Sequence, residues 1–311
     1  MIYYLLANCF SALSNVLNKY FITNDYFPTG TKMLDVTFHA NIINFILFTI
    51  FFIIYKRKTN MEFSIVKSIF NKRELLQIIL FSIPIYAAAF KISMLQNMPI
   101  PYVEVSSMIK PFLVWILALI LLHEKFYSYY LIYVFFAIIG FAIANYENLT
   151  SDYVSHDGDI KLICKYLLIG SIGDITRRYY CRKWDNTVQA IFIEMLIFGL
   201  YGFLYLFKYD RFSLQLFFSP YTTCYAMLAL LHHTCIIHGV KRAVTVASLE
   251  ILNFSKNIFS FLFSALLLPS DEALSKMQVV GALIIGISLY LFNIKRKSVD
   301  KKNANDVVNK V

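Results

Sequence analysis

Charged side chains are scarce in this chain. Asp, Glu, Lys and Arg together make up 15% of its 311 residues, against 59% hydrophobic ones, and mean hydropathy is +0.60. An ordinary globular domain is roughly a quarter charged and about half apolar. No water-soluble fold of this length hides so much apolar surface, so a soluble enzyme is excluded. Cysteine is sparse as well: the five (Cys9, Cys164, Cys181, Cys224, Cys235) are odd in number, scattered through apolar stretches and free of C-x-x-C spacing. This excludes a disulfide framework or a metal knuckle and reads as buried thiols. Also missing are H-E-x-x-H, G-x-S-x-G and a Walker-type glycine loop, so hydrolase and ATP-driven readings lack their necessary parts and no cofactor is expected.

What the chain has is apolar stretches of membrane-crossing length, about 20 residues each. They run near 1–20, 36–55, 75–95, 102–122, 129–144, 160–175, 188–207, 221–237, 243–268 and 277–294. The first lacks a basic region and a small-residue cleavage site, and reads as a retained span, not a signal peptide. The expectation is an all-α membrane protein of ten transmembrane helices. Residues 1–145 hold five of them and 146–295 the other five, with 296–311 a disordered basic tail.

The net charge of +10 is not spread evenly. Lys56, Arg57, Lys58, Lys67, Lys72 and Arg73 follow the second stretch, Arg177, Arg178, Arg182 and Lys183 follow the sixth, and a further basic group ends the chain. The alternate loops are poor in Lys and Arg, and the linker 145–159 carries Glu147, Asp152, Asp157 and Asp159 with neither. Basic residues mark cytoplasmic loops. Both termini are therefore expected in the cytoplasm of a multi-pass protein of the cell (inner) membrane, and the lipid bilayer, not nucleic acid, is the partner of the charge.

An odd number of spans per half turns the second half upside down relative to the first, as in many secondary transporters. Weak internal similarity agrees. Val103-Glu104-Val105 through Lys110 matches Leu249-Glu250-Ile251 through Lys256, with Glu and Lys six apart in both and 146 positions between the copies. Ser14-Asn15 through Lys19-Tyr20 matches Gly173-Asp174 through Arg178-Tyr179, pairing Asn15 with Asp174 and Lys19 with Arg178. Leu121-Leu122-His123-Glu124 and Leu268-Pro269-Ser270-Asp271-Glu272 close the corresponding fourth and ninth stretches.

At these residues the chain resembles the drug/metabolite transporter superfamily, and within it the EamA-type transporters. The likeness is best along Met98-Pro99-Ile100-Pro101-Tyr102, Lys110-Pro111 and Leu121-Leu122-His123-Glu124, with Gly140 closing the next span. It implies two inverted five-helix repeats over about residues 1–295 and a carrier that admits a homodimer. Two departures stand out. Asn257-Ile258-Phe259 replaces the ninth-span proline, and His39 stands where the family has an arginine, although Glu272 and Gly281 keep their spacing.

A charge at the centre of a span costs about 2.5–3.5 kcal/mol on insertion scales, and such residues face a bundle interior or an aqueous cavity. Glu104 and Lys110 sit about 120° apart around a helix and cannot neutralise each other, so partners must come from another span or from the substrate. A crossing of the fourth and ninth spans would set Glu104 opposite Lys256 and Glu250 opposite Lys110. Lys110 lies nine residues from Pro101, about 14 Å into the membrane and near the depth where carriers bind cargo. Glu104, Lys110, Glu250, Lys256, Asn15, Lys19, Asp174 and Arg178 are the candidate substrate pathway, with His39 and Glu194 as intramembrane polar groups. The run His232-His233-Thr234-Cys235 to His238 carries metal-ligand types, but His233 and His238 are five apart and not stacked one turn apart, so no metal is expected.

The expected function is secondary-active transport of a small polar metabolite; the mixed acid and base lining fits an amino-acid-like or amino-acid-derived solute, and the family resemblance implies S-adenosylmethionine as one such cargo. An exporter of toxic metabolites, a lipid flippase and a membrane-embedded lipid enzyme are the alternatives.

Overall fold

The computed structural model describes residues 2–61, 72–97, 103, 110–123, 128–144, 146, 157–183, 186–242, 246–267 and 276–308. Every regular element among them is a helix. In chain order these are α1 (Ile2–Thr23), α2 (Met33–Thr59), α3 (Lys72–Phe81), α4 (Ile83–Asn97), α5 (Lys110–Leu121), α6 (Tyr129–Ala144), α7 (Asp157–Lys183), α8 (Thr187–Lys208), α9 (Leu214–Phe217), α10 (Pro220–Arg242), α11 (Val246–Leu267) and α12 (Lys276–Val308).

Local chemistry sets several of these ends. The Asp35 carboxylate accepts from the Lys32 backbone N–H at 3.0 Å and opens α2, while Asn60, in a left-handed conformation at φ 49°, closes it after Lys56, Arg57 and Lys58. Acid at the first turn, bases at the last and Asn just past the end each suit the helix dipole and its orphan groups. Asn186 caps α8 by accepting from Val188 N at 2.9 Å, and Pro220 starts α10, where a missing N–H costs nothing.

Helices 33–59, 78–96, 187–208 and 220–242 are long and apolar enough to cross a membrane, and 129–143, 251–267 and 279–292 are shorter apolar helices. Large apolar side chains cover the exterior, and several polar ones are kept inside. Ile46, Leu47, Ile50 and Phe51 of α2, Phe135 and Phe136 of α6, and Leu283 and Ile287 of α12 are exposed, while Asn8, Asn18, His39, Asn44, Arg178 and Glu194 are buried. An apolar exterior with polar groups kept inside is what a hydrocarbon solvent demands, because each unsatisfied polar group facing lipid costs several kcal/mol.

Helices α1, α2, α8 and α10 share the largest apolar cluster, in which Phe52 and Phe192 stack at 4.0 Å. In it α2 packs along α8 and α1 packs against α10 and α11; elsewhere α6 packs along α12, and α7 packs against α4 and α5. The α6–α12 contact is close because it is made at glycine: a Cβ on Gly140 would lie 2.8 Å from the Gly281 carbonyl oxygen and 2.9 Å from Ile284 Cβ.

Four differences from the sequence reading have physical causes. The third apolar stretch is interrupted at Ser82, just before Pro84, whose ring nitrogen cannot donate to the helical ladder. The sixth extends to Lys183, so Arg177 and Arg178, read above as loop charges, lie inside α7 at 8% and 1% exposure, held by partners on α8 and α10. Helix α12 continues to Val308 through the expected tail, which holds no glycine or proline to stop it. Of the five free thiols only Cys181 is buried; Cys164 and Cys224 are exposed on the outer faces of α7 and α10, among apolar neighbours in sequence.

A side chain at Gly140 must push α6 off α12. Gly140→Leu is expected to lower stability by about 1–3 kcal/mol, the usual cost of overpacking, read as a lower melting temperature of the purified protein in detergent. An unchanged melting temperature would show that the two helices separate freely.

Candidate functional site

Two helices present polar stripes to a common space. On α1, Tyr4, Asn8, Ser11 and Asn15 recur at helical spacing, and on α7 Tyr166, Gly170, Asp174 and Arg177 do the same. Between the stripes lies a cavity of ≈ 240 Å³, closed by residues of α2, α4, α5, α8, α10 and α11. Its polar wall includes Thr37, Asn41, Lys91, Lys110, His232, His233, Asn253 and Lys256.

The charges in this wall are organised by α7. Lys110 Nζ lies 2.6 Å from Asp174 Oδ2, both side chains mostly buried. Gly170, one turn before Asp174, makes the approach feasible: a Cβ there would lie 3.2 Å from Lys110 Cε. One turn further back, the Tyr166 ring is shared by two ammonium groups, Lys110 Nζ at 5.6 Å and Lys91 Nζ at 5.9 Å from its centroid, which adds a cation–π attraction.

From the same wall, Arg177 Nη2 donates to Glu194 Oε1 behind it at 2.7 Å, and His233 Nδ1 lies 3.3 Å from the same oxygen. Glu194 is 1% exposed. Its second oxygen and Arg177 Nε have no hydrogen-bond partner among the described residues. The Phe198 ring covers His233 at 4.6 Å, and His232 Nδ1 bonds the Ala7 carbonyl at 2.8 Å, tying α10 to α1. Asn8 Nδ2 donates to Leu252 O at 2.8 Å and to Ser255 Oγ at 3.1 Å, tying α1 to α11.

Of the residues singled out from sequence, the cavity brings together Lys110, Lys256, Asn15 and Asp174. Glu194 is set one layer back, against Arg177. Arg178 is fully buried and donates from Nη1 to the Val240 carbonyl, away from the cavity. Lys19 lies one turn past Asn15 on α1 and is not part of the wall. His39 stands apart: its Nε2 accepts from Ser213 N at 3.0 Å and its Nδ1 meets the Asp35 carbonyl at 2.7 Å, the pattern of a neutral ring that anchors the turn before α9. Glu104, Glu124 and Glu272 lie outside the described residues, as does the side chain of Glu250 on α11, so the expected pairings of Glu104 and Glu250 with Lys256 and Lys110 fall there too. Among the described residues the ion-pair partner of Lys110 is Asp174.

Five wall residues escaped the sequence reading. Lys91 carries the same signal as Lys110, a cation within an apolar stretch. Arg177 was hidden by its assignment to a loop, His232 and His233 by their reading as a metal run, and Tyr166 has no signal of its own. Among the described residues no group of three or more His, Cys, Asp or Glu is placed to hold a metal ion.

No family model and no curated protein matches the chain. Solved structures do. One protein crystal structure superposes with a TM-score of 0.66 at 12% identity, over 92% of this chain and 96% of that one. The fold is therefore one that this solved protein shares along nearly its whole length.

Removing one partner of a buried ion pair strands the other, at a cost of about 3–5 kcal/mol. Arg177→Met alone is expected to reduce folded yield in detergent sharply. The double variant Arg177→Met with Glu194→Leu is expected to restore much of it, and no recovery would mean that Arg177 holds the bundle through contacts other than Glu194.

Proposed function

We propose that this chain is a secondary carrier, a ten-span membrane protein of two inverted five-helix halves that moves a small polar metabolite by alternating access. The observation that carries this reading is the Lys110–Asp174 pair facing a polar cavity inside an apolar bundle. Ionised groups at that depth are costly and are retained where a pathway needs them, and the cavity lies between α1 and α7, the first helices of the two sequence halves.

The helix neighbours support the inverted plan. When the halves are exchanged, α1 on α10 maps to α7 on α4, α1 on α11 maps to α7 on α5, and α2–α8 and α6–α12 map onto themselves. A cavity flanked by corresponding helices of both halves is the arrangement in which rocking one half against the other exposes a central site to alternate sides. Asp174 and Lys110 suit a solute with both charges, such as an amino acid or its derivative, which exchanges its own ammonium and carboxylate for theirs.

Counterflow in proteoliposomes with labelled amino acids, nucleotides and S-adenosylmethionine tests the carrier. Uptake of at least one of these is expected; silence across all, with lipid scrambling present, would make the protein a flippase. Lys110→Met and Lys256→Met are each expected to lower the transport rate about tenfold or more, equivalent to about 1.4 kcal/mol, with folded yield measured in parallel. Normal uptake by both variants would remove the cavity from the pathway.

A further inference from the structure

One buried cluster plays no part in the Lys110–Asp174 pair. Glu194 of α8 is 1% exposed, and Arg177 of α7 and His233 of α10 both meet its Oε1, at 2.7 and 3.3 Å. Arg177 neutralises the carboxylate by itself, so a structural ion pair is complete without the imidazole. Yet Glu194 Oε2, Arg177 Nε and His233 Nδ1 are all buried with no hydrogen-bond partner among the described residues, a state in which buried polar atoms are rarely left. The imidazole and the carboxylate face each other at 3.3 Å without a hydrogen bond. One proton added to the ring turns that contact into a charge-assisted bond.

His233 also has access to the cavity. Its side chain keeps 12% exposure and lines the wall, whereas Glu194 is not part of the lining. Imidazole is the side chain whose ordinary charge change falls in the physiological pH range. The Phe198 ring at 4.6 Å and the His232 ring at 5.0 Å confine it beside the carboxylate.

Other ionisable groups bear on the ring from the helices around it. Asp174 and Cys181 flank Arg177 on α7, and Lys241 of α10 lies near Cys181. On α10 itself, His232 is tied to the Ala7 carbonyl. Around the cavity stand Tyr4 of α1, Lys91 of α4, Lys110 of α5 and Lys256 of α11, and α2 lines it with the uncharged Thr37 and Asn41. The basic groups oppose a second positive charge beside Arg177 and the carboxylates favour it, the balance of a site that takes up a proton and releases it again.

We propose that His233, held against Glu194 and Arg177, is a proton-binding site of the cavity and that the proton gradient drives transport through it. This rests on the reading of the chain as a carrier and names its coupling ion. A proton from water on the acidic side joins the imidazole, which then donates from Nδ1 to Glu194. When the cavity faces the other side, the proton leaves to water there and the ring returns to neutral. Arg177 keeps Glu194 ionised throughout, so His233 holds the proton and Glu194 is a positioning residue.

Two measurements test this. In nitrogen-15 histidine NMR of the full-length protein in detergent, the resonance lost in His233→Gln, or in His233→Asn if that variant does not fold, identifies this ring among the six histidines. It is expected to titrate between about pH 5 and 8, and at lower pH in Glu194→Gln, a shift that a merely structural carboxylate would not cause. A ring that keeps one charge across that range overturns the proposal. In proteoliposomes with the membrane potential clamped, a gradient of about one pH unit, imposed in either direction, is expected to displace the distribution of labelled serine or S-adenosylmethionine about tenfold, the limit for one proton per solute. The His233 variant is expected to leave that ratio near unity, whatever its rate of exchange. Counterflow that ignores the gradient, or a gradient response that survives in the variant, would retain the carrier and overturn the coupling. A titrating His233 in a protein that moves neither solute would discard the carrier and retain the proton site.

Discussion

An ammonium or guanidinium group drawn from water into an apolar bundle carries a penalty of several kcal/mol, recovered only if a carboxylate or a set of hydrogen-bond acceptors is brought within reach. That constraint organises this structure around α7. Its residues reach three neighbours: Asp174 holds Lys110 of α5 at 2.6 Å, Arg177 holds Glu194 of α8 at 2.7 Å, and Arg178 binds a carbonyl of α10. Apolar packing between helices tolerates sliding and rotation, because one leucine contact resembles another. A short charge-assisted bond tolerates neither, so these three contacts fix the rotation of α7 and with it the face that Tyr166, Gly170 and Asp174 present to the cavity.

The first helix plays the corresponding part with neutral groups. Asn8 reaches α11 through Leu252 O and Ser255 Oγ, and the Ala7 carbonyl receives His232 of α10. Where α7 has Gly170, Asp174 and Arg177, α1 has Ser11, Asn15 and Asn18, at the same spacing. Two helices of similar shape and unequal charge flank one cavity. A few side chains make the two sides of the space chemically different.

Much of this was legible in the residue order. Apolar stretches of about 20 residues mark helices whatever their neighbours, and the starts and ends of α2, α8 and α10 follow from Asp35, Asn60, Asn186 and Pro220, which act within a turn of themselves. Lys110, Lys256, Asn15 and Asp174 stood out because a polar or charged group is conspicuous in an apolar run and more so when it recurs at matching spacing. Arg177 was misread for the same reason: a cluster of basic residues at the end of an apolar stretch looks like a cytoplasmic loop until Glu194 is known to lie beside it. His39 and Arg178 were conspicuous too, yet they serve the turn before α9 and the packing of α10.

The sequence alone determined the helical, lipid-compatible character of the chain and which residues carry charge where lipid would forbid it, since hydropathy and spacing act over one or two turns. Only the tertiary structure decided which of those charges meet. Lys110 found Asp174, not a partner in its own helix, and Arg177 found Glu194, because the partner of a buried ion lies on another helix, and the rotation of one helix against another is set by side-chain contacts that no linear spacing encodes.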